Sequence, residues 1–130
     1  MREKLAIVTL IASIALDRYG PTHRFQTEVL RDGPILVDGT VDGTLILRGA
    51  GDPSLGLDGP AEQALDSLAA QVAAAGIRVI RGAILGDATA FDSHRVPEGW
   101  RAATLLTRYA PRVSALSLAS NMTSVVVRPS

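Results

Sequence analysis

Residues 41–55, VDGTLILRGAGDPSL, decide how the fold is read. A β-favouring apolar run, residues 44–47, stops near Gly49, and a glycine-rich turn carrying an acid and a proline follows. Such a turn either cradles phosphate or punctuates the chain. A phosphate loop needs a Lys-Ser/Thr pair after its glycines, and a dinucleotide fingerprint needs G-x-G-x-x-G opening a helix. Here Gly49 and Gly51 are followed by Asp52 and Pro53. The carboxylate repels phosphate, and the proline removes an N–H. The turn therefore reads as structural, its glycines permitting positive φ and Asp52 capping nearby N–H groups as an Asx turn.

Working outward, residues 35–49 read as two extended pieces around Asp38-Gly39, the second covering 40–48. Asp-Gly between apolar runs signals a hairpin, and a second pair, Asp42-Gly43, leaves the turn's position open. Residues 24–31, RFQTEVLR, alternate in part and suit a strand. Residues 57–77, LDGPAEQALDSLAAQVAAAGI, form the clearest helix. Pro60 fits its first turn, and Glu62 sits near the positive end of the dipole. Leu65, Leu68, Ala69, Val72 and Ala73 make an apolar stripe, and Gly76 suits a left-handed stop.

Beyond the helix, strands are expected at 77–80 and 83–85, a polar loop at 89–100, and two final strands at 113–118 and 123–129. The fold class is α+β: a small mixed sheet with one clear amphipathic helix, plus an apolar N-terminal helix.

Composition narrows the function. The chain has 130 residues, 13 basic and 13 acidic, and no cysteine. Neither a basic tract for nucleic acid nor any thiol chemistry is available. Aromatic residues make up 4%, so aliphatic side chains must fill the core. Lys4 is the sole lysine. The apolar stretch 5–16 is too short to span a bilayer. It fits a signal-peptide core, with Ser13 and Ala15 before a cleavage site, and equally a buried helix ended by Gly20 and Pro21.

Several residues invite a chemical reading. Asp92, Ser93 and His94 contain the residue types of a hydrolase triad, but a triad converges from separated segments, so loop decoration is the better reading. His23 and His94 are the only histidines, which excludes a histidine-rich metal site. Asn121-Met122-Thr123 is a formal glycosylation sequon with no further support, and Trp100 is expected as a packing anchor.

LDRYGPTHRF, VDGTLILRGAGDPSL, a helix ending AAGI, RGAILGDATAFD, PEGW and VSALSL follow one another between residues 16 and 129. In that order they resemble the D-alanyl-D-alanine carboxypeptidases of peptidase family S13, the penicillin-binding-protein 4 type. The resemblance implies exported enzymes that trim peptidoglycan peptides, with a serine-β-lactamase-like catalytic domain interrupted by inserted domains. It implies that residues 1–20 correspond to the helix after the family's Ser-x-x-Lys motif, and residues 21–130 to the first inserted α+β domain. Continuity of 10–21 with the family pattern favours the helix over a cleaved signal. Such a helix needs cover, so exposed apolar surface and self-association are expected.

The family's chemistry is acyl transfer. A Ser-x-x-Lys motif places nucleophile and base on one helix face, and Ser-x-Asn and Lys-Thr-Gly complete the site. Here the sole lysine puts Met1 where the serine would stand. Counted back from DRYGP, serine and lysine fall instead on Leu5 and Val8. Ala119 precedes Asn121 by two residues, and no lysine follows residue 4. Family members carry an acid after Gly-Trp that contacts the amino end of the peptide. Thr104 stands near that place, and no Asp or Glu occurs from Arg101 to Ser130. The expectation is a fragment or degenerate member, inactive alone, with no catalytic, cofactor-binding or metal residues assigned. Its location is expected to be periplasmic or extracytoplasmic. The alternative is a non-catalytic module for cell-wall peptides or a partner enzyme, with no nucleic acid and no membrane span.

Overall fold

The computed structural model describes residues 2–56, 61–105, 107, 110–122 and 125–128. Helix α1 covers Arg2–Tyr19 and helix α2 Ala61–Ala74. Strands β1 (Glu28–Arg31), β2 (Thr40–Val41), β3 (Leu45–Arg48), β4 (Val79–Ile80) and β5 (Ile84–Asp87) form one sheet in the order β1-β3-β5 and a second pair, β2-β4. The class is α+β, as expected. No helix among the described residues is long and apolar enough to cross a membrane.

The two sheets are one broken ribbon. β2 pairs with β4 and β3 with β5, both parallel, and partners are 39 residues apart throughout. Between the two pairings, Asp42-Gly43 and Arg81-Gly82 bend both strands together. Gly82 donates to the Gly43 carbonyl (3.1 Å), and a Cβ on Gly82 would lie 2.4 Å from that oxygen. Only two backbones without side chains fit at this bend. Both Asp-Gly pairs are therefore used. Asp38-Gly39 makes the tight turn, with Leu36 N donating to Thr40 O (2.7 Å) and Ile35 bridging Val41. Asp42-Gly43 makes the bend that splits the expected 40–48 strand in two.

Side-chain alternation then sorts the faces of the larger sheet. Val29, Leu45, Leu47 and Ile84 share an apolar cleft of about 350 Å³ with Leu65, Leu68 and Val72 of α2. The predicted stripe thus faces the sheet. α2 ends as foreseen: Gly76 has φ +88°, its N–H reaches Ala73 O (2.9 Å), and Ile77 N reaches Val72 O (3.4 Å). These paired contacts are a Schellman closure. Pro60 and the Glu62 side chain lie outside the described residues, as do Met1 and the side chains of Lys4, Leu5 and Val8.

On the opposite face, Leu30, Ile46 and Leu85 form a row across the three strands. Leu85 is 54% exposed, and Ile84 on the edge strand 69%. The buried apolar side chains among the described residues are Val41, Leu45, Ala110 and Ala115. On α1, Leu10, Ile11, Ile14 and Tyr19 all face solvent.

Three strand expectations need correction. Residues 24–27 are irregular, so the first strand is shorter than its alternation suggested. Residues 113–118 form no strand: their backbone is tied by separate single bonds, not a ladder. Val113 N donates to Arg95 O (2.8 Å), Gly51 N to Ala115 O (2.7 Å) and Ala119 N to Leu55 O (2.9 Å). Of residues 123–129, positions 125–128 are described, and they are irregular and exposed without strand pairing. A β-branched run forms a strand only where a neighbouring edge accepts its backbone groups.

Candidate functional site

The glycine-rich turn is a docking surface for the C-terminal segment. Gly49 continues the ladder, donating to Asp87 O (3.0 Å), and is buried. A Cβ there would fall 2.2 Å from the Ala115 carbonyl oxygen. Gly51 has the expected positive φ (+85°) and lies against the Phe91 ring. Asp52 Oδ1 accepts from Ser54 N (2.8 Å) and Ser54 Oγ (2.7 Å), as an Asx turn requires. The structural reading therefore holds for Asp52 and Gly51. For Gly49 the reason is close backbone approach, not positive φ.

The docked segment carries the most unusual backbone in the molecule. Ala119, Ser120 and Asn121 have φ of 47°, 60° and 54°. Each left-handed non-glycine residue costs about 1–2 kcal/mol. Asn121 holds the turn: its Nδ2 donates to Arg112 O (2.9 Å) and Ser117 Oγ (3.0 Å), and its Oδ1 accepts from Leu118 N (3.4 Å). Arg95 Nη1 ties the same segment from outside, donating to Ser114 Oγ (3.2 Å) and Val113 O (3.4 Å).

These contacts wall a cleft of about 560 Å³ with Arg95, Thr107, Arg112, Ser114 and Asn121 on its surface. A smaller cleft of about 260 Å³ lies between the same segment and Gly51, Pro53 and Phe91. Arg112 borders both. Sequence reasoning singled out neither arginine. The available signal was charge: from residue 95 onward the chain has five arginines and a single carboxylate, Glu98.

The other residues singled out do not converge. Asp92 Oδ1 accepts from His94 N (2.9 Å), and His94 Nδ1 lies 3.6 Å from Asp92 Oδ2, both side chains being largely exposed. This is an Asx turn on a loop. His23 lies between Tyr19 (5.0 Å, rings tilted) and Phe25 (5.1 Å, edge-on) at the end of α1. Trp100 is 39% exposed, so most but not all of its surface is covered. Thr104 closes a short 3₁₀ turn, its Oγ1 donating to Arg101 O (2.7 Å). In the sequon, the Asn121 amide is engaged as above, and Thr123 lies outside the described residues. No group of three His, Cys, Asp or Glu among the described residues is placed to hold a metal.

One carboxylate is strongly perturbed. Asp87 accepts from Thr89 Oγ1 (2.6 Å) and N (2.9 Å), and from Arg48 Nε (3.1 Å). The Thr89 bonds, then Arg48, lower its pKa to about 2. The group sits at the end of β5 and joins two strands, a structural duty.

The architecture is that of a small α+β domain with a broken parallel ribbon and an irregular flap. Residues 5–130 match the D-Ala-D-Ala carboxypeptidase 3 (S13) family, and the chain belongs to that family. It is 36% identical over 124 residues to a D-alanyl-D-alanine carboxypeptidase of Actinomadura sp. (strain R39), covering 91% of this chain and 22% of that protein. It is 37% identical over 89 residues to the D-alanyl-D-alanine carboxypeptidase DacB of Haemophilus influenzae, covering 68% of this chain and 17% of the relative. The crystal structure of penicillin binding protein 4 from Haemophilus influenzae superposes with a TM-score of 0.69 at 32% identity, over 80% of this chain and 22% of that one. The chain thus spans about a fifth of the length of these relatives.

Proposed function

We propose that these residues are a part, or a degenerate copy, of a serine-type D-alanyl-D-alanine carboxypeptidase that acts on peptidoglycan peptides outside the cytoplasm. In this reading residues 21–130 are the inserted α+β domain, and residues 1–20 the helix that follows the family's nucleophile motif. The 130 residues by themselves do not hydrolyse peptides. The observation that carries this is the single lysine, Lys4, which leaves no Ser-x-x-Lys and no Lys-Thr-Gly. Without nucleophile and base, acyl transfer loses many orders of magnitude in rate. Incubation of the purified chain with a fluorescent β-lactam tests this. No covalent label is expected, and stoichiometric labelling of a hydroxyl overturns it.

A second reading, a non-catalytic module for cell-wall peptides or a partner enzyme, draws support from two surfaces. The cleft beside Arg95 and Arg112 presents hydrogen-bond donors to a peptide. The exposed Ile84 and Leu85 on the edge strand and the exposed side chains of α1 suit contact with protein. Muropeptide titration followed by NMR decides the first, with no shift at millimolar peptide excluding it. Light scattering tests self-association through the second: association is expected, and a monomer at high concentration excludes it.

A further inference from the structure

We infer that the cleft between Arg95 and Arg112 is a binding site for a small organic carboxylate, such as the C-terminal end of a short peptide. This narrows the peptide-binding reading to one cleft and one chemical group, and rests on it to that extent. The argument is a donor inventory. Both Asn121 amide hydrogens are spent on Arg112 O and Ser117 Oγ, and its oxygen on Leu118 N. Asn121 shapes the wall and has no donor left to offer. The Thr107 hydroxyl is committed to Thr104 O (2.7 Å).

Among the described residues, the charged donors lining the cleft are two guanidinium groups. Arg95 is half-buried and uses only Nη1 on its own chain, which anchors it with its other N–H groups still to be satisfied. The Arg112 side chain has no hydrogen bond or ion pair among the described residues. Ser114 accepts from Arg95 through its oxygen and keeps its own O–H to donate. No carboxylate lines the cleft among the described residues, and no Asp or Glu follows Glu98. By contrast, Arg48 meets a carboxylate, Asp87, at 3.1 Å. Two arginines lining one cleft without a counter-ion there, beside a free hydroxyl, supply the donors by which guanidinium groups take a carboxylate through paired N–H···O bonds. Leu105 and Met122 give the cleft an apolar border for the body of the ligand.

The test is NMR of the whole chain, following the arginine Nε–Hε signals during titration with N-acetyl-D-alanine and, separately, with its amide. The acid is expected to shift the Arg95 and Arg112 signals saturably, and the amide to leave them in place. Arg112→Gln, at an exposed side chain without structural bonds, is expected to weaken binding about fivefold or more. Affinity should fall as salt rises from about 20 to about 200 mM, because the site is open to solvent. Equal shifts with the amide, unchanged affinity in Arg112→Gln, or no response to the acid overturn the inference. A muropeptide response elsewhere on the molecule, with none to the acid, overturns it while leaving the peptide-binding reading intact. Silence toward both removes the two together.

Discussion

The ribbon of residues 28–87 and the flap of residues 88–122 are built on opposite rules. In the ribbon, backbone groups pair in ladders of constant register, and side chains alternate between two faces. In the flap, scattered single bonds, Asx turns and one left-handed turn hold an irregular path. The ribbon spreads its stability over many equivalent bonds, whereas the flap concentrates it at a few positions. Its main seam is where Gly49 and Gly51 receive Ala115. Leu116 reaches along the same face to within 3.0 Å of a Cβ placed on Gly86.

Four substitutions sharpen or break this contrast. The largest effect is expected at the seam. Gly49→Val drives atoms into the Ala115 carbonyl and should destabilise the chain by about 3 kcal/mol or more in urea unfolding. A loss under about 1 kcal/mol would mean that the flap is not docked as described.

Within the flap, Asn121→Ala removes three hydrogen bonds and leaves a left-handed turn without its clamp. It should cost about 2 kcal/mol and speed hydrogen exchange at Ala119 and Met122, with the β3 amides little changed. Equal acceleration in β3 would show that flap and ribbon unfold as one unit.

In the ribbon, Asp87 supplies a pH signature. Its folded pKa, about 2, lies below the ordinary carboxylate value. Its stabilisation is therefore complete above the unfolded pKa, near 4, and is lost as pH falls from about 4 toward about 2. The Tm difference between parent and Asp87→Asn should be constant above about pH 5 and close across that window. A difference independent of pH would mean the carboxylate charge contributes nothing.

The smallest effect is expected at His94→Ala. Its ring sits on an exposed loop, and unfolding free energy should change by less than about 0.5 kcal/mol. A larger loss would give the Asp92–His94 turn a role its exposure does not suggest.

Much of the ribbon was legible from residues alone. Helix α2, its stripe and its Gly76 stop follow from spacing, and Asp38-Gly39 turns the chain where turn chemistry indicated. The Asx role of Asp52 was equally readable, because the bond it makes is two residues long. The flap was misread for a physical reason. Residues 113–118 have strand composition, yet the nearest backbone offers isolated partners at Arg95, Gly51 and Leu55 in place of an edge. Of the candidate site, the excess of arginine was visible and the cleft was not. Arg95 and Arg112 line one cleft only because the flap folds back on itself.

By itself the sequence determined family membership, the amphipathic helix and the local turns. Each depends on residue identity or on spacing within a few positions. The tertiary structure decided which glycines are required by contact, where the long strands bend, and that Ala119, Ser120 and Asn121 turn left-handed around one amide. Those outcomes depend on groups far apart in the chain arriving within hydrogen-bond distance, and no local propensity encodes that arrival.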